Sequence, residues 1–288
     1  MNSLKEYICI ALIGDPHLPG RNLELKRKVI RDINSWDDVD LVVCTGDICA
    51  TVGTEEEYAF AAEFFSELKK PFITIIGNHD NFYSDSGYFR ASATERREKL
   101  QRFLRNFPDQ RLFYSDEFAG LRFYFLAVDD VTGPYFSSIS AEQISWFEAE
   151  LERHRQQKSI VFCHAPLWTD EILQMYPQAI NYIVQPAEEF KRIIAINPQV
   201  SLWVSGHVHF GMKAELINHP FNLYNGRVTN ILNCDMDGFS VLDLKIKPEF
   251  HDKIWTRKLI LNSEKYICTV YDHQTDKELT GLKMTGNI

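Results

Sequence analysis

Short apolar runs alternate along the chain with longer segments whose apolar residues recur at helical spacing. The runs at 7–14, 40–45 and 72–76 are bounded by Gly, Asp or Pro and have no helical period, so they predict buried strands. Segments 23–36 and 55–68 lie between them and show the apolar spacing of amphipathic helices. The order strand, helix, strand, helix, strand predicts parallel pairing, with the strand ends at one edge of a sheet.

Residues 81–111 interrupt this alternation. A basic helix is predicted from Thr94 onward, with apolar residues on its buried side. Its arginines invite a phosphate-binding interpretation, but we favour a solvated helix face for the group. The arginines concerned are Arg90, Arg96, Arg97, Arg102 and Arg105. Because the insert follows directly on Asp80, one of its side chains, such as Tyr83 or Arg90, remains a candidate for lining a substrate pocket.

The alternation resumes after the insert and becomes strand-rich in the last third of the chain. Capping-box sequences begin at Thr54 and at Ser140, and Pro186 suits the first turn of a further helix. The pair Asn225-Gly226 predicts a hairpin turn. Further strands are predicted at 123–128, 159–163, 200–204, 239–246, 254–261 and 266–271.

The domain organisation follows from the lack of any repeat or low-complexity linker in the sequence. We predict one domain over residues 1–288, with a motif-bearing core at 7–246 and a β-rich C-terminal extension at 247–288. The C-terminal strands are expected to complete a second sheet.

Composition narrows the functional classes. The sequence has 45% hydrophobic and 25% charged residues, which is typical of globular proteins and excludes disordered and fibrous classes. It carries 31 basic and 40 acidic side chains, a net charge of −9, which disfavours a broad binding surface for nucleic acid or an anionic membrane. The apolar stretch at 8–13 is too short for a signal sequence or a membrane span, so we expect a cytoplasmic protein. Six cysteines without CxxC spacing do not predict a disulfide framework.

Five of the apolar runs end in side chains that commonly bind metal ions. Such polar clusters are costly to bury unless an opposite charge lies against them. The clusters are Asp15-Pro16-His17, Gly46-Asp47, Asn78-His79-Asp80, His164 and Gly206-His207-Val208-His209. We therefore predict that the C-terminal ends of five strands meet at one metal centre.

The number of ligands predicts two metal ions. An isolated DxH or GHxH sequence is often an ordinary hydrogen-bonded group, but their conjunction favours a metal site. The oxygen and nitrogen ligands are Asp15, His17, Asp47, Asn78, His164, His207 and His209. Seven ligands are too many for one tetrahedral zinc and suit two neighbouring ions that share a carboxylate, for which Asp47 is the natural bridge. This ligand set suits Mn, Fe or Zn.

These motifs resemble those of the calcineurin-like metallophosphoesterases. The pattern DxH, GD, GNH followed by an acid, a later H, and GHxH occurs here in full and in order between residues 15 and 209. The resemblance implies an α/β (α+β) fold, a four-layer α-β-β-α sandwich with two mixed β-sheets face to face and helices outside. The segment 140–151 also looks like the corresponding helix of bacterial cyclic-nucleotide phosphodiesterases and glycerophosphodiesterases.

The same resemblance implies a role for each site residue. Asp15, His17 and His209 would bind one metal. Asn78, His164 and His207 would bind the other, and Asp47 would bridge the two. His79 would donate a proton or hold the substrate phosphate, and Asp80 would orient its ring.

The predicted activity is hydrolysis of small phosphodiesters, such as cyclic nucleotides or glycerophosphodiesters, by attack of a hydroxide that bridges the two ions. An exonuclease or phosphomonoesterase with the same ligands is an alternative, although the net charge of −9 counts against DNA. A non-catalytic scaffold is disfavoured because every ligand position is retained.

Overall fold

The computed structural model describes residues 6–167, 170, 174, 177–209, 220–237, 239–240, 249–250 and 253–288. In chain order the strands are β1 (Ile8–Ile13), β2 (Leu41–Cys44), β3 (Phe72–Thr74), β4 (Tyr83–Ser84), β5 (Gly87–Arg90), β6 (Tyr114–Phe118), β7 (Leu121–Leu126), β8 (Ser159–Cys163), β9 (Val200–Ser205), β10 (Leu223–Tyr224), β11 (Val228–Leu232), β12 (Phe239–Ser240), β13 (Glu249–Phe250), β14 (Trp255–Leu261), β15 (Lys265–Asp272), β16 (Lys277–Glu278) and β17 (Met284–Asn287). The α-helices are α1 (Leu23–Ser35), α2 (Glu55–Ser66), α3 (Asn78–Asn81), α4 (Ala93–Asn106), α5 (Ala141–Arg153) and α6 (Ala187–Ile196).

The first sheet has the strand order β16-β15-β14-β1-β2-β3, and β17 also pairs with β15. The pairs β1–β2 and β2–β3 are parallel, as predicted, whereas β14 lies antiparallel to β1. The expectation that the C-terminal strands complete a second sheet is confirmed for β10 and β11 but wrong for β14 to β17, which extend the first sheet. Every residue of β1 is buried, so this strand needs a partner along each edge.

The second sheet has the strand order β10-β11-β9-β8-β7-β6. The strands β7, β8, β9 and β11 are parallel, and β6 and β10 pair antiparallel at the edges. Asn225 and Gly226, with φ of 49° and 64°, form the turn between β10 and β11, which confirms the hairpin prediction. Most of the predicted strand at 239–246 lies outside the described residues.

The two sheets pack face to face and carry helices on their outer faces. Ile10 and Leu12 of β1 contact the core between the sheets, together with residues of β8 and β9. Ala11 and Ile13 point the other way, into a core shared with α1, α2 and α4. A third core lies between the second sheet and the helices α5 and α6. These layers confirm the four-layer α-β-β-α sandwich.

The two predicted capping boxes differ in the structure. Thr54 accepts a hydrogen bond from the backbone N–H of Glu57, whose carboxylate accepts one from the Thr54 N–H, so this capping box is complete. Ser140 accepts the Gln143 N–H at 3.2 Å, but the Gln143 side chain binds the backbone of Ala127 instead. The second capping box is therefore only half formed, because Gln143 anchors α5 to the end of β7.

The insert contains the β4–β5 hairpin and α4. Arg96 contradicts the prediction of a solvated face, because its side chain is fully buried and donates to the Gly133 carbonyl at 2.9 Å. Arg90, Arg97 and Arg105 are exposed, as predicted. Among the described residues, no helix combines the length and the apolar character needed to cross a bilayer. All six cysteines are buried and free.

Candidate metal centre

The ends of five strands from both sheets meet at one place. β1 leads into Asp15 and β2 into Asp47, and Asn78 follows β3 as the first residue of α3. The strands β8 and β9 of the second sheet lead into His164 and His207. The structure thus brings the seven predicted ligand side chains together, and each is at most 5% exposed.

Four side chains form a first ligand group: Asp15, His17, Asp47 and His209. Each offers a potential ligand atom, and these atoms all lie within 4.8 Å of one another. The Nε2 atoms of His17 and His209 are 3.1 Å apart, and His209 Nε2 lies 3.6 Å from an Asp15 carboxylate oxygen. The arrangement places two imidazole nitrogens and two carboxylates around one point.

A second ligand group contains Asp47, His164 and His207, whose ligand atoms also lie within 4.8 Å of one another. His164 Nε2 is 3.0 Å from Asn78 Oδ1 and 3.3 Å from Asp47 Oδ2, so the amide oxygen of Asn78 faces the same point. Asp47 belongs to both groups, which is the position that a bridging carboxylate requires. The assignment of these residues to particular metals stays a prediction.

The chain approaches the centre closely at two glycines. A Cβ atom at Gly77 would lie 2.3 Å from Asp47 Oδ1, and one at Gly206 would lie 2.3 Å from Asp15 Oδ2. Backbone at these points can therefore carry no side chain without displacing a carboxylate. This explains why glycine precedes Asn78 and His207 in the sequence.

Most of the ligands have an unusual backbone conformation. Asp15, His17, Asp47, His207 and His209 have φ between 43° and 67°, in the left-handed region that side chains disfavour. Each such residue costs on the order of 1–3 kcal/mol, and residues of this kind cluster at functional sites.

Burial and charge shift the pKa values of the centre in opposite directions. Burial raises the pKa of Asp15 to about 6 and lowers the pKa of His207 to about 3. Burial opposes ionisation of Asp47 as well, but the charges of His164 and His79 bring its pKa well below the usual value. Burial likewise disfavours the charged form of His164, yet the Asp47 carboxylate prevails and raises the pKa of His164 to about 9. Asp47 is therefore more readily ionised than Asp15.

The donor set fits divalent metal ions. Asp15 Oδ2 is buried and has no hydrogen-bond partner among the described residues, which is costly for a carboxylate oxygen unless a cation lies against it. The facing Nε2 atoms of His17 and His209 both offer lone pairs to the same point. The ligands are nitrogen and oxygen atoms without a thiolate, which suits Mn, Fe or Zn.

His79 lies at the edge of the centre and is only partly buried. Its backbone N–H donates to Asp47 at 2.8 Å, and its Nδ1 lies 2.8 Å from the Thr51 carbonyl, so Nδ1 carries the proton of that hydrogen bond. Its ring centroid is 4.6 Å from that of His17. Nε2 is consequently the nitrogen available to a ligand.

The predicted role of Asp80 needs correction. Its carboxylate accepts the backbone N–H groups of Cys49 and Gly77 at 2.9 and 2.8 Å, and the Thr51 carbonyl, not Asp80, orients the His79 ring. Asp80 therefore ties the loop after Asp47 to the loop that carries Asn78. An acidic residue after GNH fits both roles, so the sequence did not distinguish them.

Some residues that contact the metal ligands were not predicted from the sequence. Lys26 of α1 is fully buried and donates to the His17 carbonyl at 3.0 Å and to Asp237 at 2.7 Å. Asp235 lies 4.0 Å from His209 Nδ1. The sequence does contain a signal for the two aspartates, because the apolar run of β11 also leads into acidic and amide residues, at 233–237.

Comparison with known proteins agrees with this geometry. A profile of the family described as calcineurin-like phosphoesterase matches residues 9–211. A probable glycerophosphodiester phosphodiesterase of Arcobacter nitrofigilis is 29% identical over 171 residues, 59% of this chain and 56% of the relative. A probable cyclic nucleotide phosphodiesterase of Coxiella burnetii is 26% identical over 212 residues, 70% of this chain and 76% of the relative. The chain thus spans little more than half the length of the first of these relatives.

A solved structure has the same fold. A dimetal phosphatase from Danio rerio superimposes with a TM-score of 0.58 at 14% identity, covering 94% of this chain and 98% of that chain. At this identity the likeness concerns the fold alone.

Proposed function

This chain belongs to the calcineurin-like phosphoesterase family, and we propose that it is a dinuclear metal phosphoesterase that hydrolyses small phosphodiesters. The observation that carries the proposal is the pair of buried ligand groups that share Asp47. Asp15, His17 and His209 would hold one ion, and Asn78, His164 and His207 the other. Two bound ions supply a low-pKa water as nucleophile and neutralise the charge on the phosphoryl oxygens.

The side chains around the ions perform the remaining steps. His79 presents Nε2 to the leaving group while the Thr51 carbonyl holds Nδ1–H, so the ring is oriented before substrate arrives. Because Nδ1 already holds a proton against the Thr51 carbonyl, His79 would act as the imidazolium ion, whose Nε2–H would protonate a departing alkoxide and leave the neutral ring, a contribution of about 10²–10⁴-fold. Asp80 joins the loops that carry Asp47 and Asn78 by accepting the Cys49 and Gly77 N–H groups.

Small phosphodiesters are the substrates that the comparisons favour. The two curated relatives are named for glycerophosphodiesters and for cyclic nucleotides, both small phosphodiesters. The net charge of −9 disfavours a long polyanion such as DNA.

The test is a substrate screen with protein that is loaded with Mn²⁺ after chelation. The panel contains a cyclic nucleotide, a glycerophosphodiester, a mononucleotide, bis(p-nitrophenyl) phosphate, and single- and double-stranded DNA. We expect metal-dependent hydrolysis of the diesters, its loss in Asp47→Asn, and its retention in Asp38→Asn, a control at a half-exposed carboxylate that pairs with Lys258. Metal-loaded protein that hydrolyses no member of the panel, or that degrades DNA in preference, contradicts the proposal.

A further inference from the structure

Four aromatic side chains stand beside the candidate centre in an unbroken series of ring contacts. We call them the aromatic wall: Tyr83, Tyr88, Phe136 and Tyr182. The ring centroids of Tyr88 and Tyr83 are 5.3 Å apart, those of Tyr83 and Phe136 5.9 Å, and those of Phe136 and Tyr182 6.0 Å. The rings come from three separate segments, the β4–β5 hairpin, the loop before α5 and the 3₁₀ helix Pro177–Tyr182.

The aromatic wall reaches the centre at both of its ends. Tyr83 and Tyr88 lie 5.2 and 6.0 Å from the ring of His79. Tyr182 and Phe136 lie 5.4 and 6.3 Å from the ring of His207. A molecule bound between His79 and His207 therefore lies against the rings of this wall.

Packing within the protein core accounts for only part of the wall, because Tyr182 packs against the core between the sheets whereas Tyr88 does not belong to any of the three cores. Tyr88 is 63% exposed, although it is a large ring next to a buried polar site. Tyr83, Phe136 and Tyr182 are only partly buried. Exposed aromatic surface beside convergent polar groups is typical of a binding site, where flat ligands stack on the rings.

The segments that carry the wall are held in place. Asp85, at the turn of the β4–β5 hairpin, accepts hydrogen bonds from the buried Lys99 and from both Nη atoms of Arg102, the latter at 3.0 and 2.9 Å. Arg96 donates to Gly133 in the loop that carries Phe136, and its guanidinium lies 5.1 Å from the ring centroid of Phe82. Phe82 in turn contacts Phe136 edge-on at 5.1 Å. A ligand that stacks here therefore meets rings whose positions are already set.

We propose that the aromatic wall stacks on a flat aromatic group carried by the ester, a nucleobase or an aryl ring, and so selects such phosphodiesters over aliphatic ones. The inference rests on the proposed function, because the phosphate must lie at the metal centre for the group to reach the wall. Tyr88 is the residue on which the preference depends most, since its ring offers the largest exposed surface.

Two matched pairs of ligands measure how much the flat group contributes to binding affinity. AMP and ribose 5-phosphate differ by the base, and phenyl phosphate and methyl phosphate differ by the ring. Their Kd values are measured by titration calorimetry on the Mn²⁺-loaded protein, and their inhibition constants are measured against bis(p-nitrophenyl) phosphate. Stacking of a base on an aromatic side chain typically changes affinity by about 5- to 150-fold, and an exposed ring belongs at the lower end.

We expect AMP to bind roughly 5- to 10-fold more tightly than ribose 5-phosphate, and Tyr88→Ala to remove most of this ratio. Phe89→Ala is the matched control, because Phe89 is 57% exposed on the same strand and successive strand residues point to opposite faces. If Tyr88→Ala lowers the affinity ratio of phenyl phosphate to methyl phosphate but not that of AMP to ribose 5-phosphate, the wall binds an aryl ester and not a nucleobase.

Equal affinities within both pairs, or ratios that Tyr88→Ala leaves unchanged, overturn the inference. Failure of the proposed function looks different, because the loaded protein would then hydrolyse no phosphoester at all. The calorimetric ratios would still report on the wall in that case.

Discussion

The two halves of the candidate centre hold their ligands in different ways. We call Asp15, His17 and His209 the Asp15 group, and Asn78, His164 and His207 the His164 group. All three members of the Asp15 group have positive φ, between 43° and 46°. In the His164 group only His207 does, with φ of 67°. The Asp15 group is thus the half with the more strained backbone.

Hydrogen bonding separates the two halves further. His164 uses both ring nitrogens, with Nδ1 2.8 Å from the Thr45 carbonyl and Nε2 3.0 Å from Asn78 Oδ1. In the Asp15 group, Asp15 Oδ1 accepts the His207 N–H at 2.8 Å, but Asp15 Oδ2 is buried and has no hydrogen-bond partner within the described part of the chain. The His164 group therefore holds its shape through its own contacts, whereas the Asp15 group needs a cation to offset the burial of its carboxylate.

The largest loss of activity is expected when Asp47, which both halves share, is replaced. Asp47→Ala should release both ions and remove nearly all activity, by more than about 10⁴-fold, because lowering the pKa of water from 15.7 to about 7 corresponds to roughly 12 kcal/mol. Metal content by mass spectrometry and the rate on bis(p-nitrophenyl) phosphate measure this. A variant that kept one full equivalent of metal would show that the halves bind independently.

The next effect concerns His79, which contacts the Asp15 group through His17. His79→Ala should keep both metals and lose about 10²–10⁴-fold in rate on alkyl esters, but far less on nitrophenyl esters, whose leaving group needs no proton. Rates on the two ester types, measured with equal metal loading, test this. Equal losses on both types would exclude His79 as the proton donor.

A third prediction compares the halves by pH after chelation. Because burial raises the pKa of Asp15 to about 6, the folded protein keeps a proton between pH 4 and 6 that the unfolded chain has released. The contribution of Asp15 to the free energy of unfolding should therefore fall as pH rises through that window, by roughly 3 kcal/mol, whereas His207, whose pKa burial lowers to about 3, contributes in the opposite sense. Urea unfolding of the EDTA-treated wild type and of Asp15→Asn measures this contribution as the difference between their pH slopes, because Asp80, whose pKa burial raises to about 7, contributes to both.

The His164 group should respond in another window. The pKa of His164 is raised to about 9, chiefly by Asp47 acting against burial, so its contribution to stability is complete below its ordinary pKa near 6.5 and is lost as pH rises through 9. His164→Asn should remove this alkaline loss and leave the contribution of Asp15 below pH 6 in place. The same pH profile for Asp15→Asn and His164→Asn would contradict the difference between the halves.

The smallest effect tests the backbone strain. At His17, with φ of 44°, Gly should be more stable than Ala by about 1 kcal/mol, because only Gly adopts this conformation without strain. At His164, where φ is not positive, Gly should be less stable than Ala by a similar amount. Thermal unfolding of the four chelated variants measures both differences. If the stability difference between Gly and Ala had the same sign at both positions, backbone strain would not distinguish the two halves.

The strands that carry the ligands were predictable because their burial leaves a plain pattern. The runs at 40–45, 159–163 and 200–204 match β2, β8 and β9 to within one residue. Each run is mostly apolar, shows no helical period and ends within one residue of a glycine or a metal-ligand side chain, so both the strand and its end can be recognised. The convergence of the ligands then followed from parallel pairing.

The features that could not be predicted from the sequence depend on contacts between distant segments. The alternation in β14 predicts a strand but not the edge that it joins, so its pairing with β1 was missed. The burial of Arg96 depends on a carbonyl 37 residues away. Tyr88 and Tyr182 lie in a four-residue strand and a six-residue 3₁₀ helix, which are too short to show a clear period, so nothing in the sequence showed that they face the same site.

The central position of β1 affects how the protein is made in the cell. β1 pairs with β14 in a register that joins Ile8 to Leu261. At 5–20 residues per second, a ribosome takes on the order of tens of seconds to translate the intervening stretch. During that time one edge of β1 is open to pairing with other nascent chains. We expect the yield of folded protein to rise when a chaperone shields this edge, or when slower expression keeps emerging chains apart.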